Sequence, residues 1–415
     1  MKVLFVTESF LPRVNGVTNS VCRVLDHLAA RDHEAMVVAP APGPDSYAGY
    51  PVRLVRGVTL PMYPSFRVGL PSTAVSAAFH DFAPDVVHLA SPVTVGATGA
   101  FTARQLGVPS VAVFQTDLAG FARRYRLGWS APLLWWWLRR LHTCADRTLA
   151  ASTATMRQLA QQRIPRVSLW PRGVDTERFH PRHCSQRLRN QLAPDGEVLV
   201  GYVGRLSADK RVRQLSHLTG IPGARLVVVG DGPDRRRLQR QLPDAAFLGF
   251  LDGPELSAAF ASLDVFVHTG ADETFGQTIQ EALAAQVAVV APAAGGPLDL
   301  IVDGRTGLRY DPEAPGQLRD AVTRLVTDSG LRARLGRSGR ASVSTRSWAT
   351  VCDQILDHYA AVLAPTGRSA RPATAHLTGD GPRYPQVQPP VPVATAALEE
   401  GPVPSHHQGP SGVAH

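Results

Sequence analysis

Short apolar runs of strand length alternate along the chain with longer stretches whose apolar residues follow the helical period. Val3–Thr7, Ala35–Ala39, Val86–Leu89, Val111–Phe114 and Val167–Trp170 are continuous and rich in β-branched residues, so each predicts a buried strand. Gly16–Ala30, Ser72–Phe82 and Val93–Leu106 lie between them and predict amphipathic helices. A second series follows at Val198–Val203, Leu226–Val229, Ala246–Leu248, Val265–His268 and Val287–Ala291, again with helical stretches between. The pattern predicts an α/β chain of two doubly wound, Rossmann-like domains, with the junction near Pro171-Arg172-Gly173-Val174-Asp175. Ligands of such sheets sit beyond the carboxyl ends of the strands, which makes the cleft between the two domains the expected site.

The chain has 415 residues, more than one hydrophobic core usually holds. With 44% apolar and 19% charged residues the balance is that of a globular protein. No stretch approaches the roughly eighteen uncharged apolar residues of a spanning helix, and Met1–Glu8 reaches charge too early for a secretory leader. Cys22, Cys144, Cys184 and Cys352 stand far apart, which disfavours a zinc site or a disulfide framework and fits a reducing cytoplasm. The net charge of +9 resides before residue 366, because Arg368, Arg371 and Arg383 balance Asp380, Glu399 and Glu400. From Pro365 onward Pro, Ala, Gly, Val and Ser dominate without any period, as in a disordered tail.

The loops after the predicted strands carry the candidate chemistry. GxGxxG is missing from the first strand–helix turn and GxxxxGK[ST] from the whole chain, so dehydrogenase and P-loop readings lose their main support. Asn15-Gly16 instead opens a helix, either as a phosphate contact through its amides or as an ordinary turn. In Gly204-Arg205-Leu206-Ser207-Ala208-Asp209-Lys210-Arg211, leading into an expected helix, Arg205 and Lys210 can clamp two phosphates or form a solvated basic turn. The sharpest signal is the run from His268 to Glu281. There a strand ends, a glycine loop carries Glu273, and a helix starts near Phe275-Gly276, its first amides facing the cleft. Glu273 and Glu281 read either as an acid–base pair or as two grips on one long ligand, with Glu281 able to bridge a ribose diol.

The spacing from Glu273 to Glu281 resembles the E-x7-E motif of retaining glycosyltransferases of family 4, which have the GT-B fold. The likeness spans nearly all of residues 1–363, including Arg172-Gly173-Val174-Asp175, the Gly204–Lys210 loop and the closing Ser347-Trp348 helix. It implies an acceptor-side domain over 1–172, a nucleotide-sugar domain over 173–346, a helix over 347–363 returning to the first domain, and the tail over 364–415. Asn15-Gly16-Val17, Phe114-Gln115-Thr116-Asp117 and Ala294–Asp299 are most similar to actinobacterial α-mannosyltransferases that use GDP-mannose on lipid- or inositol-linked acceptors. By this resemblance Arg205 and Lys210 hold the diphosphate, Glu281 the ribose, and Glu273 with the amides of Phe275, Gly276 and Gln277 the sugar. Gly16 then lies under the diphosphate and Phe250 to Leu256 border the base.

Three departures stand out. Gln115-Thr116 replaces a common His-Thr pair, leaving Gln115 or Asp117 to contact the sugar. Asp209 stands where relatives have Glu before the phosphate lysine, and Gln286 and Ala288 stand where relatives have Gly and Pro. Gln286 in a left-handed cap would cost about 1 kcal/mol relative to Gly.

His88 and His142 near the expected cleft read as satisfied core residues. Trp135-Trp136-Trp137 cannot all face one core on a helix, so at least one is expected outside. With Arg123, Arg124, Arg126, Arg139, Arg140 and Arg147 around them, and an apolar, Pro-broken loop at 60–67, they suit reversible contact with an anionic membrane. An internal contact within the first domain is the other reading. The expected partners are therefore a nucleotide sugar, a lipid or polyol acceptor and an anionic membrane at the inner cell face. No metal or other cofactor is expected, because protein cations take the metal's place. Nucleic acid is disfavoured, since no basic stripe interleaves with aromatics. A soluble sugar or inositol phosphate as acceptor, with another nucleotide sugar as donor, and a non-catalytic sensor are the alternatives.

Overall fold

The computed structural model describes residues 1–60, 63–70, 72–120 and 128–364, leaving the side chains of 59, 60, 63–68 and 315 undescribed. Arg123, Arg124, Arg126 and the expected tail from 365 lie outside the described residues.

Two parallel sheets organise the chain. The first runs, edge to edge, Val167–Leu169, Arg147–Ala150, Ser110–Phe114, Val86–Ala90, Lys2–Thr7, Glu34–Pro40, Tyr50–Val55 and the short antiparallel Ser46–Tyr47. The second runs Ala246–Gly249, Ala224–Val229, Val198–Val203, Val265–Val267, Ala288–Pro292 and Leu308–Tyr310. In each, the first strand in sequence is central: Val3 pairs with Ala35 on one side and Val86 on the other. In the second sheet Val200 stands between Leu226 and Val265. Leu4, Phe5 and Val6 are fully buried because helices cover both sheet faces, which is why these strands read as unbroken apolar runs.

Several elements were not apparent in the apolar pattern. Tyr50–Val55 and Arg147–Ala150 mix polar and apolar residues and have strand register only by pairing with a neighbour already in place. The stretch expected as a loop at 60–67 is instead part of a hairpin, in which Gly57–Leu60 pairs antiparallel with Tyr63–Gly69. Pro64 is tolerated because both strands of a two-stranded sheet are edges. In place of the helix expected after Arg211 stands a 3-10 helix, Val212–Leu218, separated from a 3-10 turn at Ala208–Lys210 by Arg211 with φ of 49°. Gln286 does adopt the left-handed conformation, at φ of 65°.

The helix Trp348–Leu363 packs on the first sheet. Val174 donates to the Arg346 carbonyl at 2.9 Å, so the outgoing and returning crossings run side by side. A Cβ at Gly173 would come within 2.5 Å of the Trp348 backbone, so only glycine lets these crossings meet. The Trp170 indole donates to the Val351 carbonyl at 2.9 Å, and the Tyr359 hydroxyl meets His88 Nδ1 at 2.6 Å. Arg147 donates to His358 Nδ1 at 2.9 Å. His27 and Arg31 both reach Asp353, at 2.9 and 2.6 Å.

His88 and His142 are core residues, the latter bonded to Thr148 at 3.1 Å. Burial pushes His88 down to about 3 and His142 to about 4, and burial with Arg147 beside it pushes His358 to about 4. The unfolded chain binds these protons near the ordinary pH of about 6.5 while the folded chain refuses them. Stability is therefore complete above that pH and is lost as pH falls from it towards 4, by up to about 1.4 kcal/mol per group and pH unit. The denaturant midpoint is expected to drop steeply between pH 7 and 5; a flat midpoint over that range would contradict the burial of these rings.

Candidate functional site

The loops that follow the central strands of the two sheets meet across the cleft. From the second sheet, the turn after Val198–Val203 carries Arg205 and Lys210, and the loop after Val265–Val267 carries Glu273. Lys210 Nζ and Glu273 Oε2 form a close ion pair, and His268 Nε2 lies 3.7 Å from the same oxygen. Burial opposes the charge on Glu273, but the Lys210 ammonium beside it outweighs burial and holds the carboxyl below its usual range. Burial pushes His268 down to about 4, so its ring is neutral. Arg205 pairs with Asp209 at 2.8 Å, so the acidic residue before the phosphate lysine orients the arginine.

Glycines set the shape of the Glu273 loop. Gly296 donates to the Glu273 carbonyl at 2.8 Å, and a Cβ there would fall 2.4 Å from the Phe275 carbonyl oxygen. The Gly295-Gly296 pair thus permits the backbone contact that seats the loop. Gly276, with φ of 100°, caps the helix Gln277–Ala284 without any side-chain cap, leaving its first amides for a ligand. Phe275 is buried beneath this turn.

Glu281 lies one turn into that helix and is half-buried. Burial pushes its carboxyl up to about 7, with Arg178 and the Gln277 amide pulling it back. Arg178 reaches the Gly253 carbonyl at 3.5 Å, which ties Glu281 to the stretch expected to border a base. Phe250 in that stretch is 67% exposed.

From the first sheet come Gly16 and Gln115. Gly16 is exposed at the start of helix Gly16–Ala30, with Asn15 accepting from Val17 and Thr18 at 2.9 and 3.0 Å. Gln115 follows strand Ser110–Phe114, and its backbone carbonyl accepts from the Thr274 hydroxyl at 3.2 Å across the cleft. Asp117 is arranged differently. Its two oxygens accept from the Gly120 amide and the Gln158 side chain, both at 2.8 Å, so it shapes the loop after Gln115.

The structure thus gathers Arg205, Lys210, Glu273, Phe275, Gly276, Gln277 and Glu281 around one turn. Gln115 faces that turn through its bond to Thr274. In the sequence Arg172 marks only the domain junction. It is buried and donates to the Gly16 carbonyl and to Gln115 Oε1, both at 2.5 Å. A charged residue inside an otherwise apolar strand-end run was the available signal. Among the described residues no group of three or more His, Cys, Asp or Glu is arranged to hold a metal.

The sequence profile of Glycosyltransferase Family 4 matches residues 14–178, and that of Glycosyl transferases group 1 matches 185–342. A GDP-mannose-dependent alpha-mannosyltransferase of Mycolicibacterium smegmatis is 49% identical over 88% of this chain and 98% of its own. A GDP-mannose-dependent alpha-(1-6)-phosphatidylinositol monomannoside mannosyltransferase of Mycobacterium tuberculosis is 30% identical over 86% and 97%. The crystal structure of Anabaena HepE in complex with UDP superposes with a TM-score of 0.71 at 22% identity, covering 87% of this chain and all of that one. The fold is accordingly GT-B, and the chain belongs to glycosyltransferase family 4.

Proposed function

We propose that this chain transfers α-mannose from GDP-mannose, with retention at the anomeric carbon, to a lipid-linked acceptor at an anionic membrane face. The observation that carries the reading is the 49% likeness over nearly the whole chain to an enzyme named for that donor. The Lys210–Glu273 pair in the loops after the central strands supports it.

Lys210 has three N–H groups, so its bond to Glu273 leaves two for the diphosphate. Arg205, held by Asp209, supplies a second cation. The amides of Phe275, Gly276 and Gln277 are assigned to the same group, and Glu273 keeps its other carboxylate oxygen for a sugar hydroxyl. As the anomeric C–O bond to the diphosphate breaks, the acceptor oxygen bonds that carbon on the same face. The acceptor's proton passes to the departing phosphate oxygen. Charge builds on the diphosphate, where fixed cations and amides stabilise it without reorganisation and take the place of a metal.

The acceptor side rests on the helix Ala131–Cys144. Trp135 is buried against Phe114, and Trp137 donates to the Val93 carbonyl at 2.8 Å, but Trp136 is 48% exposed. Leu133 is 62% and the neighbouring Trp129 80% exposed, and Arg139 and Arg140 are exposed beside them. Arg147 is spent on His358 and is left out of this surface. Among the described residues no helix is long and apolar enough to cross a membrane, so this patch supports contact at the surface.

Replacing Arg205 or Lys210 by Ala is expected to cut turnover about a hundredfold, roughly 2–4 kcal/mol of transition-state stabilisation. Chelation by EDTA should leave activity intact. Parental rates in both variants, or a strict need for a divalent ion, would overturn the clamp.

Glu281→Ala should weaken GDP and GDP-mannose alike in calorimetry, whereas Glu273→Ala should lower turnover with little change in GDP affinity. Because the free Glu281 carboxyl sits near 7, diol binding through its charged form should strengthen as pH rises through 7, and Glu281→Gln should abolish that rise. Equal losses of GDP affinity in both Ala variants would reverse the assignment.

Sedimentation with vesicles tests the acceptor side. Each Arg close to anionic lipid contributes about 1 kcal/mol, weakened by salt. Binding to anionic vesicles only, lost in high salt and in Arg139→Glu with Arg140→Glu, is the expected result. No binding at low salt would shift the assignment to a soluble sugar or inositol phosphate acceptor.

A further inference from the structure

The cleft holds a buried amide whose orientation is fixed by chemistry. Gln115 and Arg172 are each 7% exposed, and Arg172 Nη2 lies 2.5 Å from the Gln115 side-chain oxygen. A guanidinium has only donors, so the atom facing it must be the amide oxygen. Burial lowers Arg172 to about 10, which leaves it a cation at neutral pH and keeps this argument intact. The amide nitrogen is therefore turned away from Arg172, and among the described residues it has no hydrogen-bond partner. A buried N–H group without a partner costs roughly 1–3 kcal/mol, so this one is held for something that arrives.

Three loops meet at this amide. Thr274, next to Glu273, bonds the Gln115 backbone at 3.2 Å. Arg172 uses its other terminal nitrogen on the Gly16 carbonyl at 2.5 Å. The peptide that carries Arg172 is gripped from the second domain. Its own carbonyl accepts from Gln280 Nε2 at 3.2 Å, and the Gly173 carbonyl accepts from Gln277 Nε2 at 3.1 Å. Both glutamines stand on the helix Gln277–Ala284, the one that carries Glu281.

We infer that Arg172 is a positioning residue for the transfer: it locks the Gln115 amide so that Nε2 donates a hydrogen bond to a hydroxyl oxygen of the donor sugar. Seating a nucleotide sugar on the Gln277–Ala284 helix then reports, through Gln277 and Gln280, to the residue that aims this donor. This rests on the nucleotide-sugar reading of the cleft, and it needs neither a particular base nor a particular sugar.

The test uses the full chain and a panel of nucleotide sugars, with release of nucleoside diphosphate as the readout. Gln115→Glu keeps an acceptor for Arg172 but offers the ligand an acceptor in place of a donor. It should hold the parental melting temperature while kcat falls about tenfold or more. Arg172→Met should lower kcat by a similar factor, with nucleoside-diphosphate affinity in calorimetry within about twofold of the parent. In a Gln115→Ala background the Arg172→Met change should cost less than about twofold further, because the amide it aims is gone. Parental kcat in Gln115→Glu, or fully additive losses in the double variant, overturns the inference while leaving the transferase reading in place. A parent that turns over no sugar of the panel removes both.

Discussion

The Arg172-Gly173 peptide is the point on which the rest of the structure depends. Its two carbonyls are taken by Gln280 and Gln277 of the second domain, its side chain by Gly16 and Gln115 of the first. The backbone of the returning chain presses directly on Gly173. A buried arginine is costly to desolvate, and its bonds to the Gly16 carbonyl and the Gln115 amide oxygen offset part of that cost. The link therefore acts as a fixed coupling between two sheets whose loops must meet within hydrogen-bond distance.

Given that coupling, the electrostatics of the cleft follow from burial. Lys210, Glu273 and His268 share a low-dielectric corner in which each charge needs the other, and the imidazole stays neutral beside them. Glu281, one turn into the helix that follows, has only a more distant cation in Arg178 and is pushed up to about 7. Two glutamates of similar accessibility thus differ in character because one has an ammonium in contact and the other does not. A ligand carrying both phosphate and vicinal hydroxyls matches that difference.

The sheet cores were legible because parallel strands buried on both faces leave unbroken apolar runs, and Val198–Val203 matches to the residue. The strands at Tyr50–Val55 and Arg147–Ala150 were not, since their polar residues carry no alternation and their register comes from neighbours. The turn at Arg211 was hidden for a related reason: a left-handed Arg looks like any other residue in a helical pattern. In the site, glycines and spacing disclosed the Glu273–Glu281 turn. Which partners each side chain holds was beyond the sequence. Asp117 is engaged with Gly120 and Gln158, and Arg147 with His358, because of contacts 3, 41 and 211 positions apart.

The contacts that join the two domains are of two kinds, and the difference bears on how a donor enters. The crossings at 170–175 and 346–348 are linked backbone to backbone and lie side by side, forming a single seam. Across the cleft the contacts run through side chains: Thr153 gives its amide and hydroxyl to Asp299, at 2.6 and 2.5 Å, and Thr155 and Thr274 each donate to a carbonyl at 3.2 Å. Side-chain bonds at a partly wet surface exchange readily with water, at roughly 0.5–1.5 kcal/mol net each, whereas a buried seam does not. The seam consequently fixes the relative placement of Gly16, Gln115 and the Glu273 turn, and the threonine contacts are the ones that exchange with water at least cost.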